Sequence, residues 1–195
     1  MLDRYLVSAE AAGLDAVISI TKTDLVHVDD IGQELQTYRD IGYRVVLSST
    51  VSGEGVDEMR DVLSGKSSVF VGKSGVGKTS LLNAVQPGLG LRVQETGGKT
   101  GKGKHTTTNL AMFALDGGGS IVDTPGMREF GLWNVKGAGA DTDRAGTRRA
   151  DTASGGRASD LASLFPEMRP YLGDCQFHSD CTHTHEPGCA VKAAV

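Results

Sequence analysis

Along the first 135 residues, the spacing of apolar positions switches repeatedly between helical and extended. Leu2, Tyr5, Leu6 and Ala9 recur at helical spacing, which predicts a helix over 3–12 stopped by Gly13. Ala16 to Ile20 is a short apolar run rich in β-branched residues, the pattern of a buried strand. Ile31, Leu35, Tyr38 and Ile41 then fall on one face of a helix from about Asp30 to Ile41, closed by Gly42. Tyr43 to Leu47 predicts a second strand, residues 56–64 a helix, and Ser67 to Val71 a third buried strand. A helix from Lys78 to Val85 stops before Pro87. Leu110 to Leu115 and Ser120 to Val122 read as a hairpin around Gly117-Gly118-Gly119. Short strands alternating with helices predict an α/β fold with a mainly parallel sheet.

The polar segments at the ends of these strands carry the chemistry. Gly72-Lys73-Ser74-Gly75-Val76-Gly77-Lys78-Thr79 matches the phosphate-loop pattern, with a strand before it and a helix after it. Its glycines let backbone N–H groups converge on a phosphate, and the helix N-terminus adds a positive dipole end. In that pattern Lys78 neutralises phosphate oxygens, and Thr79, next to Ser80, offers a hydroxyl to Mg²⁺. Asp123 ends an apolar strand and opens Asp123-Thr124-Pro125-Gly126, so Asp123 and Gly126 are the candidate carboxylate and turn on the Mg²⁺ side. Thr21-Lys22-Thr23-Asp24 addresses the base. A carboxylate accepts from guanine N1–H and its exocyclic amine together, a donor pair adenine lacks, so Asp24 selects guanine. Lys22 is expected along the ring plane, and Ser48-Ser49 is expected to offer a backbone N–H to the base oxygen.

Composition adds four constraints. The net charge is −4, which excludes a globally basic nucleic-acid coat and confines RNA contacts to local patches. No apolar run approaches the roughly 18 residues of a membrane span, so a soluble cytoplasmic chain without membrane contact is expected. Residues 136–159 are low-complexity Ala, Gly, Arg, Asp and Thr, read as a disordered linker between a domain at 1–135 and a module at 160–195. All 3 cysteines, Cys175, Cys181 and Cys189, fall in that module with His178, His183 and His185. An odd count in so short a stretch is metal-site composition. Cys175, Cys181, His183 and Cys189 make a closed Cys₃His set that suits one structural Zn²⁺, with His178 as the alternative imidazole.

The base motif precedes the phosphate loop, the reverse of the Ras-like order, so the domain is a circularly permuted Ras-like GTPase. With Leu2-Asp3-Arg4-Tyr5-Leu6, Gly72 to Ser80, Gly103-Lys104-His105-Thr106-Thr107-Thr108, Asp123 to Met127 and Glu186-Pro187-Gly188-Cys189-Ala190-Val191, the chain resembles the small ribosomal subunit-dependent GTPase A family. The resemblance covers nearly everything except 136–159. It implies a monomeric late assembly factor that binds GTP or GDP, contacts the small ribosomal subunit and its rRNA, and hydrolyses GTP under stimulation by that subunit. It also implies that the zinc module docks on the ribosome. The loop from His105 to Thr108 becomes switch I, with Thr107 facing Mg²⁺ among its three threonines. Met127 stands where Ras-like enzymes carry a water-orienting Gln, so His105 is the candidate catalytic group beside Lys78.

The chain departs from the family pattern in four ways. Thr21 replaces the usual Asn, and the first two cysteines are one residue further apart. By the resemblance, the sequence is expected to open after the family's N-terminal OB-fold and after the strand that lies between the base-motif and phosphate-loop strands of a Ras-like sheet. A gap between the 16–20 and 67–71 strands is therefore expected. A non-hydrolysing zinc or RNA-binding adaptor that keeps the nucleotide motifs is the alternative reading.

Overall fold

A computed structural model describes residues 1–91, 111–123 and 161–194. It divides the chain into two units, Val17–Phe130 and Met1–Ala16 with Gly131–Val195.

In the first unit, strand β1 (Val17–Thr21) leads through a short 3₁₀ turn, Val28–Ile31, into helix α2 (Gly32–Ile41) and back to strand β2 (Arg44–Ser48); helix α1 (Leu2–Ala11) belongs to the other unit. Gly42 ends α2 in the left-handed region at φ 108°, and the Tyr43 N–H reaches back to Tyr38 O at 3.0 Å. β1 and β2 pair in parallel from Val17 opposite Arg44 to Thr21 opposite Ser48. That register brings the Thr21-Lys22-Thr23-Asp24 and Ser48-Ser49 segments to the same end of the pair.

Helix α3 (Val56–Leu63) follows, then β3 (Lys66–Val69), α4 (Lys78–Val85) and the hairpin β4 (Ala111–Ala114) with β5 (Gly119–Asp123). The second sheet runs β3-β5-β4, with β3 and β5 parallel and β4 antiparallel to β5. Val69 lies opposite Val122, so Asp123 closes β5 at the end where β3 feeds the phosphate loop.

The expected break is present: among the described residues β1 and β3 lie in different sheets. One core still serves both. Met59, Val62 and Leu63 of α3 and Leu81, Leu82 and Val85 of α4 are buried with Val46 of β2 and Ile121 of β5. Helix α3 starts tightly under β2. Its preceding Gly55 has φ 68°, and a Cβ there would lie 1.8 Å from Leu47 O, so only glycine fits.

The third strand is not buried as its apolar residues predicted. It ends at Val69, short of Val71, and Val69 is 47% exposed. Among the described residues β3 is an edge strand with β5 as its ladder partner, and Val69 lies open. β1 is likewise only partly buried: Ile18 is inside, whereas Val17 is exposed.

In the second unit, α1 (Leu2–Ala11) buries Leu6 and Val7. Gly13 follows it at φ 64°, as predicted. Glu10 of α1 takes a hydrogen bond from Arg169 Nη2 at 2.5 Å, and Arg169 Nε donates to Ser163 O at 2.7 Å. By their contacts, residues 1–16 share this unit with residues 131–195. The C-terminal module is built of turns, with short 3₁₀ segments at Arg169–Tyr171 and His178–Asp180 and a final helix α5 (Ala190–Ala194). Its small core is Cys175, Cys181, Cys189 and Val191, with Met168 and Leu172 against it. Residues 136–159 lie outside the described residues. Among those described, no helix is long and apolar enough to cross a membrane.

Candidate functional site

Gly72, Lys73, Ser74, Gly75 and Val76 form the loop between β3 and α4, and Gly77 caps α4 in the left-handed region at φ 98°. Lys78, Thr79 and Ser80 make the first turn of that helix. The Lys78 ammonium donates to Gly72 O at 2.7 Å and to Lys73 O at 2.8 Å, so its side chain folds back over the loop.

The two halves of the site meet through side chains more than fifty residues apart in sequence. The Thr21 hydroxyl donates to Val76 O, and the Lys22 ammonium donates to Gly75 O at 2.8 Å. Gly77 faces both: a Cβ there would stand 3.6 Å from Thr21 Oγ1 and 3.7 Å from Lys22 Cε. Thr21 therefore does more than replace a longer amide. Its short hydroxyl reaches the loop directly from the end of β1.

Asp24 is exposed at its turn, yet one oxygen is fixed: Ser49 Oγ donates to Asp24 Oδ1 at 2.5 Å. Ser49 is buried, and its oxygen also accepts from the Val51 and Ser52 N–H groups at 3.2 and 3.3 Å. Ser48, equally buried, donates its hydroxyl to Ile20 O at 3.3 Å. The Ser49 N–H donates to Glu54 O at 3.0 Å, so one amide of the segment read as a donor to the base is already engaged in its own turn. The orienting role of Ser49 was not read from the sequence. Nothing local signals a contact across 25 positions.

Asp123 is placed as the last residue of β5, opposite Ala111. His105, Thr106, Thr107, Thr108, Gly126 and Met127 lie outside the described residues.

In the C-terminal module Cys175, Cys181, His183 and Cys189 converge, their ligand atoms all within 4.8 Å of one another. His183 Nδ1 is 3.6 Å from Cys175 Sγ and 3.4 Å from Cys189 Sγ, and the two sulfurs are 4.0 Å apart. The edges of a tetrahedron around Zn²⁺ are about 3.5–3.8 Å for bonds of ~2.0–2.3 Å, so the cluster has the right size as well as the right atoms. His178 and His185 are not part of it. Burial pushes the Cys181 thiol up to about 11. Desolvation acts on Cys175 in the same sense, but the Ala190 and Val191 N–H groups and the neighbouring thiols outweigh it, and its pKa is lowered. Amides aimed at a sulfur are what a metal-bound thiolate uses.

Glu186, noted in the sequence only within a family motif, organises the turn between Cys181 and Cys189. The Thr182 hydroxyl and N–H, together with the His185 N–H, hold its carboxyl down at about 2.

A phosphate loop set between strand and helix, with a base motif from earlier in the chain fastened to it, defines a phosphate-loop domain of the circularly permuted kind. The chain belongs to the RsgA GTPase family, whose model matches residues 1–133. It is 42% identical over 198 residues to the small ribosomal subunit biogenesis GTPase RsgA of Pseudomonas aeruginosa (strain UCBPP-PA14), covering 100% of this chain and 52% of that protein. To the RsgA of Gemmatimonas aurantiaca it is 44% identical over 195 residues, covering 100% and 56%. Among solved structures it is similar to YjeQ from Thermotoga maritima, with TM-score 0.68 and 34% identity over 99% of this chain and 57% of that one. It is also similar to YloQ, described as a circularly permuted GTPase, with TM-score 0.65, 31% identity, and coverage of 100% and 54%. The chain spans about half the length of the curated relatives it matches.

Proposed function

We propose that this chain binds guanine nucleotide and Mg²⁺ at the Val17–Phe130 unit, hydrolyses GTP, and couples that hydrolysis to late maturation of the small ribosomal subunit. The observation that carries the reading is the junction of Thr21 and Lys22 with the Val76 and Gly75 carbonyls. It makes one continuous surface of a base-reading segment and a phosphate loop.

Asp24 accepts the two guanine donors, with Ser49 holding its carboxylate in register. Lys22 serves twice, under the base and on the loop. The amides of Gly72 to Gly77 and the N-terminus of α4 take the phosphates, and Lys78 exchanges its carbonyl partners for phosphate oxygens. Thr79, Thr107 and Asp123 are hard oxygen donors, the set that Mg²⁺ prefers; the ion supplies charge neutralisation between the phosphates. His105 orients the attacking water in place of a Gln. In the second unit Cys175, Cys181, His183 and Cys189 hold one structural zinc, and this module takes part in contact with the subunit and its rRNA. The relatives bear the name of small ribosomal subunit biogenesis GTPases, which supports that partner; the factor is read as cytoplasmic and monomeric.

A titration with GDP and ADP, followed by GTP turnover with and without purified small subunits, tests this. GDP binding well above ADP and turnover raised by subunits are expected. Equal affinity for the two nucleotides refutes the base assignment, and subunit-independent turnover refutes the coupling.

A further inference from the structure

We propose that Glu186 is the positioning residue of the metal centre: its carboxylate clamps the turn that carries His183 and so sets where the imidazole meets the three sulfurs. The inference rests on the zinc reading above and adds to it a residue that is not a ligand.

One carboxylate gathers donors from both sides of His183. Oε1 accepts the Thr182 N–H at 2.9 Å and also the Thr182 hydroxyl. Oε2 accepts the Thr184 N–H and the His185 N–H, each at 3.1 Å. With four donors on two oxygens, Glu186 has no free lone pair directed at the cluster, and it is outside the ligand set. Hydrogen bonds to an ionised acceptor are about twice as strong as neutral ones.

The turn needs such a clamp. His183 has φ 60°, a left-handed backbone that a residue with a Cβ rarely holds without compensation. Thr182, Thr184 and His185 are exposed, so apolar packing does not hold them. The far end of the turn is anchored separately. Gln176 N donates to Gly188 O at 3.0 Å, and a Cβ on Gly188 would stand 2.6 Å from Gln176 Oε1. Between Cys181 and that anchor, the carboxylate is what joins the amides flanking His183. With it in place, Nδ1 lies 3.4 Å from Cys189 Sγ.

The test uses the full chain with zinc, in wild type and in E186A, E186Q, E186D and the exposed-charge control E167Q. Zinc affinity is read by competition with a chromophoric chelator. The Co²⁺-substituted proteins report ligand geometry through their ligand-field absorption. Wild type and E167Q are expected to match. E186A and E186Q are expected to lose about tenfold to a hundredfold in affinity, E186Q because its amide turns an N–H₂ toward two donors. E186D keeps the charge and is expected to recover part of the loss. The Co²⁺ band should shift in E186Q and E186A, a change that a merely destabilised but intact site does not produce. Should E186A fail to fold, E186Q and E186D still decide the matter. Wild-type affinity and an unshifted band in E186Q overturn the clamp, while tight zinc in wild type upholds the metal reading. A wild-type chain that takes up no zinc overturns both.

Discussion

Removing the Thr21 hydroxyl tests the junction between the two halves of the nucleotide site. Thr21→Val keeps the shape of the side chain and deletes only the donor to Val76 O. A neutral hydrogen bond contributes about 0.5–1.5 kcal/mol net. The bond is partly open to water, so a value of about 1 kcal/mol is expected, which is about fivefold in affinity. Lys22→Met deletes the 2.8 Å bond from an ammonium to Gly75 O. Charged bonds contribute about 1.5–3 kcal/mol, and because Lys22 is exposed the lower end applies, a loss slightly above tenfold. Lys22 also lies under the base in the proposed complex, so its loss alone does not isolate the junction. Thr21 makes no such contact, which gives its variant the diagnostic weight. The two bonds hold adjacent carbonyls of one loop, so the double variant should lose less than the sum. Titration of a fluorescent GDP analogue into wild type, both single variants and the double variant measures all three quantities. Wild-type GDP affinity in Thr21→Val, with an unchanged unfolding midpoint, refutes the role assigned to the junction.

Asp24→Asn should weaken GDP binding by about 1.5–3 kcal/mol, since a donor then faces the guanine donors; equal GDP affinity in variant and wild type excludes Asp24 as the base reader. Lys78→Ala should abolish measurable GTP turnover, whereas His105→Ala should keep GDP affinity and lose subunit-stimulated turnover; normal stimulated rates in either variant remove that residue from the mechanism. Met59, 2% exposed between α4 and both sheets, should cost about 2–5 kcal/mol when cut to alanine, read as a lower denaturant midpoint at unchanged slope. Elemental analysis of reduced protein should find one zinc per chain, with His183→Ala losing it and His178→Ala keeping it.

The elements of the fold were legible because their signals are local. Gly42 and Pro87 mark the ends of α2 and α4, and the phosphate-loop spacing places the start of α4 at Lys78. The mistaken burial of β3 has a physical origin: an apolar run reports that a segment wants cover, not that its neighbour exists. The long-range contacts are of another kind. Thr21 with Val76, Ser49 with Asp24 and Arg169 with Glu10 join residues 55, 25 and 159 positions apart. Each residue alone is an ordinary polar position. The parallel register of β1 with β2 brings Ser49 to Asp24, and the grouping of the C-terminal residues with α1 brings Arg169 to Glu10. The Cys₃His set was readable from spacing, whereas the Glu186 clamp depends on a turn conformation that spacing does not encode.

The order of the two halves along the chain also has a meaning in time. A polypeptide leaves the ribosome N-terminus first, and structure forms as it emerges. Here the β1-α2-β2 unit, which carries Asp24 and its Ser49 partner, is synthesised before the phosphate loop. The Thr21 and Lys22 side chains then await carbonyls that have not yet been translated. Docking of the nascent loop onto them joins the two halves of the proposed nucleotide site. In the proposed complex, a nucleotide that binds only the joined form would favour that form by mass action.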